Sequence, residues 1–205
     1  MTNLLFVDPE ITFKGTVAII GSSAKLFQAN YGEEIDLHDD VVRFNRAPTE
    51  GYEKCVGGKT TLRVANNHVF NNNQMESEWG NQPRYFIRDL RTANVLYFGP
   101  DIDVWVDREK NVHESCNKFR FFYEYMGLLK DFASYEHEKN FSVGVGFTVL
   151  SIISGITPDL YGFDVDGEER THYYGDRPAK GPCHDVDHEM MLLKELHEMG
   201  KLRLL

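Results

Sequence analysis

The sequence predicts an α/β domain, a mostly parallel sheet with helices on both faces. Three observations carry that prediction. Short apolar runs of strand length recur along the chain, closed by Gly, Asn or Pro. Segments of helical period stand between and after them. The first strand gives way to a Gly-Ser-Ser turn that opens a helix, the usual start of a strand–helix–strand alternation.

Residues 16–20 form a buried strand, closed by Gly21 and followed by a short helix through Leu26 and Phe27. Residues 41–45, 60–65, 84–87 and 94–98 are further strands, and the Asn-rich segment 65–74 is a loop. In residues 117–135, Phe121, Tyr125, Leu128 and Phe132 recur at helical spacing and predict an amphipathic helix. Residues 145–156 are apolar on nearly every side and read as a buried helix. Residues 160–165 are a strand, and 185–199 a last helix with Leu192, Leu193, Leu196 and Met199 on one face. With no internal repeat and no linker, residues 1–205 are assigned to one domain.

Composition narrows the function. A formal net charge of −10 argues against a nucleic-acid partner, which needs a basic surface, but leaves room for a small anionic nucleotide held by a few local donors. No apolar run approaches the roughly 18 residues of a membrane span, and the first residues lack the basic start and apolar core of a signal peptide. The three cysteines, Cys55, Cys116 and Cys183, form no CxxC and are an odd number, which points to reduced thiols.

Ligands of parallel sheets sit beyond the carboxyl ends of the strands, so the turns there matter most. Gly21-Ser22-Ser23 follows the first strand, where backbone N–H groups can face an anion. Residues 31–63 hold an Asn-Arg-Ala-Pro-Thr turn, a Gly-Gly pair and a Lys-Thr-Thr run, a string that packing alone does not demand. In residues 141–147 Ser142 stands at a helix cap, with Gly144 and Gly146 permitting close approach to the backbone. His172-Tyr-Tyr-Gly and His184-Asp-Val-Asp-His-Glu follow in order.

Together these segments resemble the four sialylmotifs of glycosyltransferase family 29, the eukaryotic-type sialyltransferases: large at 17–63, small at 142–163, the third at His172 and the very small at His184 and Glu189. The resemblance implies a Rossmann-like fold, a variant of the GT-A type. It also implies an inverting transfer of a sialic acid from its CMP donor to a sugar hydroxyl. By matching position the CMP contacts are Ser22, Ser23, Asn45, Ser142, Val143 and Gly144, with Gly162 and Phe163 nearby. The family usually has Asn where this chain has Ser22. His184 takes the role of general base, which suits an imidazole near neutral pH. His172 takes the departing phosphate, and Glu189 an orienting role.

The resemblance implies no cofactor and no metal, although Asp101/Asp103, Asp164/Asp166 and Asp185/Asp187 each mimic a DxD metal motif. Of these only Asp164/Asp166 follows a strand end near the presumed donor site. CMP-Kdo is the nearest alternative donor, and a non-catalytic CMP- or glycan-binding module the alternative of another class. A nicotinamide oxidoreductase fits less well, since GxGxxG is missing. The acceptor is a glycan whose type the sequence leaves open. In secreted family members a Cys at the start of the large motif pairs with one late in the small motif. Here those positions are Val17 and Gly155, so a cytoplasmic protein of bacterial or viral origin is expected, or a Golgi one if the chain is part of a longer protein.

Overall fold

A computed structural model describes residues 13, 15–45, 47–66, 85–88, 94–98, 119–121, 141–167, 171–178 and 184–205. Its main sheet contains β1 (Val17–Ile20), β2 (Asp40–Phe44), β3 (Leu62–Asn66), β4 (Tyr85–Arg88), β5 (Asn94–Phe98), β6 (Phe119–Phe121), β7 (Asp159–Tyr161) and β10 (Arg203–Leu204), in the order β10-β7-β1-β2-β3-β4-β5-β6. Every pairing from β10 to β4 is parallel, while β4–β5 and β5–β6 are antiparallel. A small antiparallel pair, β8 (Thr171–His172) and β9 (Gly175–Pro178), stands apart.

Strand alternation sorts the core into two layers. Val17, Ile19, Val42, Phe44, Leu62, Val64 and Leu160 face one side, where α3 (Val143–Ile153) and α4 (Val186–Glu198) cover them. Ala18, Ile20, Val41 and Tyr161 face the other, covered by the 3₁₀ helix Ala24–Gln28, α1 (Gly32–Asp36) and α2 (Glu53–Val56) through Leu26, Ile35 and Val56. The predicted layering is therefore present, with helices on both faces. α3 is buried along almost its whole length, from Val143 to Ile152, as its unbroken apolar sequence requires. α4 instead buries Leu192, Leu193 and Leu196 and exposes Met199, which lies beyond its last turn.

Three boundaries differ from the sequence reading by more than two residues. Residues 119–121 are a strand, not the start of a helix: Phe-Arg-Phe alternates with period two and pairs with β5. The rest of that predicted helix, the Asn-rich loop beyond Asn66, Cys116 and Cys183 lie outside the described residues. β7 stops at Tyr161 rather than Val165, because Gly162 turns the chain with φ +70°. α3 ends at Ile153, closed by Gly155 at φ +85°. α1, α2, β8, β9 and β10 were not anticipated; each is five residues or shorter, too brief to leave a periodic signal.

Candidate functional site

Chain order fixes where a ligand can sit. From β1 the sheet grows one way through β2, β3 and β4 and the other way through β7 and β10. The connections thus diverge between β1 and β7, and in such sheets ligands bind at the carboxyl ends of the strands flanking that point. The residues there are Gly21-Ser22-Ser23 and Gly162-Phe163.

These two turns are locked together through the backbone. The Gly21 amide donates to the Tyr161 carbonyl at 2.7 Å and the Ser23 amide to the Gly162 carbonyl at 3.1 Å. A Cβ on Gly21 would lie 2.3 Å from the Gly162 oxygen, so the approach needs glycine. Of the three N–H groups of this turn, those of Gly21 and Ser23 are thus taken up by main-chain carbonyls rather than facing an anion. The Ser23 hydroxyl accepts from the Lys25 amide at 3.1 Å and caps the 3₁₀ helix, and Ser23 is buried. Ser22 is half-buried, and its carbonyl accepts from the Tyr173 amide at 2.9 Å. A β-bridge joins Ser23 to His172, so the third motif is carried to the first strand's turn. His172 is half-buried, its ring stacked on Tyr174 at 5.1 Å and 16°.

The N-terminus of α3 enters the same edge. Ser142 caps it, its hydroxyl accepting from the Val145 amide at 3.4 Å. A Cβ on Gly144 would lie 3.3 Å from the Phe163 ring and 3.6 Å from that of Phe44, so this first turn packs between the ends of β7 and β2. Val143 is largely buried beside it. Glu189, itself buried on α4, accepts from the Ser142 amide at 2.5 Å and fastens the two helix starts together. The Glu189 carboxylate is thus engaged at the junction of the two helices. His184 is half-buried and directly precedes Asp185, which caps α4 by accepting from the His188 amide at 3.3 Å.

Asn45 closes β2 in a left-handed conformation, φ +45°, the one such non-glycine residue among those described. Its amide donates to the Val64 carbonyl at 2.8 Å, and its own carbonyl accepts from Arg63 Nη1 at 3.0 Å. Tyr173, buried behind His172, donates its hydroxyl to the Pro48 carbonyl and so ties this turn to the third motif. Burial raises the Tyr173 phenol well above its ordinary range, which keeps it a donor.

The Asp164-Val165-Asp166 segment has a different occupation. Lys25 reaches Asp164 at 3.5 Å and Asp166 at 3.1 Å, and Lys194 reaches Asp166 at 2.9 Å. Hydrogen bonds from Lys194 and Lys25 hold the Asp166 carboxyl below its usual value. Among the described residues no cluster of His, Cys, Asp or Glu has the arrangement of a metal site. Sequence reasoning missed these lysines, and also Arg63 and Tyr173 as turn-holders. A lysine far along the chain gives no local sign of its partner.

The family model for glycosyltransferase family 29 (sialyltransferase) matches residues 14–201. The chain belongs to glycosyltransferase family 29. It is 26% identical over 200 residues to the human CMP-N-acetylneuraminate-beta-galactosamide-alpha-2,3-sialyltransferase 1, covering 91% of this chain and 57% of that one. To the Xenopus tropicalis beta-galactoside alpha-2,6-sialyltransferase 2 it is 37% identical over 120 residues, 53% of this chain and 22% of the relative. The chain thus spans at most a little over half the length of these curated relatives. Its fold matches the crystal structure of a mammalian sialyltransferase with a TM-score of 0.61 at 22% identity, over 97% of this chain and 71% of that one. The fold also matches the sialyltransferase CstII from Campylobacter jejuni, solved with the substrate analogue cytidine-5'-monophosphate. There the TM-score is 0.52 at 15% identity, over 94% of this chain and 79% of that one. This family 29 chain is therefore α/β and GT-A-like, as its sequence predicts.

Proposed function

We propose that the chain is a sialyltransferase, moving a sialic acid from CMP to the hydroxyl of an acceptor sugar with inversion. One observation carries this reading: four segments far apart in sequence meet at the carboxyl ends of β1 and β7. They are the Ser22–Ser23 turn, the Gly162–Phe163 turn, His172 and the capped start of α3. The human relative is named for CMP-N-acetylneuraminate, and CstII was solved with cytidine-5'-monophosphate, which supports a CMP-linked donor.

In this reading CMP lies across the carboxyl ends of these strands. Its contacts are Ser22 and Asn45 on one wall, where the buried Ser23 shapes the turn behind them, and Ser142, Val143 and Gly144 on the other, with Gly162 and Phe163 beneath. The positive end of α3 favours the phosphate. His172 hydrogen-bonds a phosphate oxygen and stabilises the charge that develops there. The acceptor oxygen attacks the anomeric carbon from the face opposite CMP, and the carbon–oxygen bond to the phosphate breaks with its electron pair leaving on CMP. His184 takes the acceptor proton. Glu189 keeps the starts of α3 and α4 together, so that phosphate site and base hold a fixed separation. A phosphate monoester leaving group carries less charge than a diphosphate, and local donors serve it without a metal.

The reading extends to the compartment. Val17 is buried in β1, and Gly155 lies at φ +85° with open space around it, so neither position carries the paired cysteine of secreted relatives. Cys55 is a free thiol. We place the protein in a reducing cytoplasm.

The test is CMP release from CMP-sialic acid and from CMP-Kdo, each against a panel of glycan acceptors. Acceptor-dependent release from CMP-sialic acid is expected. Release only from CMP-Kdo would change the donor, and CMP binding without release from either donor would make the chain a binding module.

A further inference from the structure

Arg43 and Arg63 lie opposite each other in register on β2 and β3, and both are buried, at 0% and 2% exposure. They alternate with Val42, Phe44, Leu62 and Val64, so both enter the layer beneath α1 and α2. A guanidinium in a protein interior is unfavourable unless its hydrogen bonds are well satisfied, and an apolar side chain would fill the same space more simply. Burial, with the Arg63 charge acting in the same direction, lowers the Arg43 pKa to about 10, and Arg43 Nη1 has no hydrogen-bond partner. Two such residues side by side call for a reason beyond packing.

The two arginines differ in what they grip. Arg43 Nη2 donates to the carbonyls of Val56 at 2.6 Å, Gly57 at 3.1 Å and Lys59 at 2.9 Å, and Nε donates to Thr60 at 3.0 Å. It gathers the loop between α2 and β3. Arg63 Nη1 donates to the carbonyls of Asn45 and Ala47, each at 3.0 Å. One nitrogen thereby pins both sides of the turn in which Asn45 takes its left-handed conformation. That conformation is disfavoured for any residue with a Cβ and needs a surrounding structure to fix it.

We infer that Arg63 is a positioning residue for donor binding: its buried guanidinium holds the Asn45 turn in the shape from which Asn45 meets the nucleotide. The inference rests on the donor site described under the proposed function. Arg43, equally buried but attached to another loop, serves stability alone. The guanidinium geometry matters because two carbonyls must be met by one planar donor group, which an ammonium meets less rigidly.

The experiment measures CMP affinity by calorimetry in wild type, Arg63→Met, Asn45→Gly and the double variant, at a temperature where circular dichroism shows each folded. Glycine at 45 accepts φ +45° freely and removes the amide, so no held contact remains for Arg63 to support. Arg63→Met is expected to weaken CMP about tenfold and to raise the donor KM far more than it lowers kcat. The double variant is expected to bind CMP no worse than Asn45→Gly alone, the non-additivity of residues acting as one unit. Arg43→Lys should lower the melting temperature with CMP affinity within about twofold of wild type. Should Arg63→Met not fold, Arg63→Lys takes its place in the same cycle. Additive losses, or wild-type affinity in the Arg63 variants, overturn the inference while the donor site stands. A wild-type chain that binds no CMP overturns the donor site and the inference together.

Discussion

The two edges of the sheet are built from different materials. At the carboxyl edge the β1 and β7 turns are joined by main-chain hydrogen bonds, with Gly21 pressed against the Gly162 carbonyl, and side chains there grip main-chain groups, as Arg63 grips the Asn45 turn and Glu189 the start of α3. At the opposite edge, side chains pair with one another. His38 Nε2 meets Asp159 at 2.9 Å while Nδ1 meets the Glu34 carbonyl at 3.1 Å, and Arg203 on β10 grips the same Asp159 carboxylate through two nitrogens. Tyr161 donates to Glu34 at 2.8 Å, and Asp39 accepts from the Thr16 amide and hydroxyl. Side-chain pairing consumes the polar groups it uses, which suits an edge whose task is cohesion. Main-chain bonds between the β1 and β7 turns hold them by backbone groups, and so do not depend on which side chains the turns carry.

The largest effect that tests this division is chemical. His184→Ala should reduce transfer by about 10²–10⁴-fold, the usual worth of a positioned base, while CMP affinity and melting temperature stay near wild type. A variant that transferred at the wild-type rate would remove His184 from the mechanism.

Next comes a pair of glycine substitutions that meet the same crowding at opposite edges. A Cβ on Gly21 would lie 2.3 Å from the Gly162 main-chain oxygen, and one on Gly15 2.3 Å from a carboxylate oxygen of Asp39. The main chain cannot give way and the carboxylate can turn aside. Gly21→Ala should therefore cost about 1–3 kcal/mol and weaken CMP binding as well. Gly15→Ala should cost under about 1 kcal/mol and leave CMP binding alone. Urea unfolding with parallel CMP titrations measures both; equal costs would show that the two edges do not differ in rigidity.

Smaller still is a pH effect confined to the far edge. Burial works against ionisation of Asp159, but hydrogen bonds from Arg203 and His38 outweigh it, and the carboxyl titrates below its ordinary range. A carboxyl depressed on folding stabilises the protein above its unfolded pKa of about 3.9 and loses that contribution as pH falls through the lower folded value. Wild type should thus lose stability more steeply below about pH 4 than Asp159→Asn, in melts taken between pH 2 and 7. Parallel curves would mean that the cluster adds nothing.

The smallest expected change is none. Excess EDTA should leave transfer within about twofold, because losing a metal that stabilised the transition state would cost tenfold or more. Abolition by chelator with recovery on Mn²⁺ would return Asp164 and Asp166 to the active edge in place of their lysine pairs.

What the sequence disclosed follows the same division. Turns built on Gly, Ser and Asn, such as Gly21–Ser23 and Gly162, announce themselves locally because their backbone angles demand those residues. The buried helix at 143–153 and the strands at 17–20 and 94–98 were legible from unbroken apolar runs. The Glu189–Ser142 bond, the Lys25 and Lys194 pairs and the Arg63 grip were not, since each joins residues that only the folded chain makes neighbours. Arg43 and Arg63 even count against burial on composition, although they are among the most enclosed side chains described.

The position of β1 bears on how the chain reaches this structure. One neighbour, β2, follows closely, Val17 pairing with Asp40, but the other is β7, with Ala18 against Asp159. During synthesis β1 and β2 can pair early, leaving one side of β1 open until most of the domain has been made. An apolar strand with an unpaired edge invites association with other chains. Closing so long a loop also slows folding relative to domains whose contacts are local. Expression at low temperature, or with abundant chaperone, should therefore raise the soluble yield more than any single surface substitution.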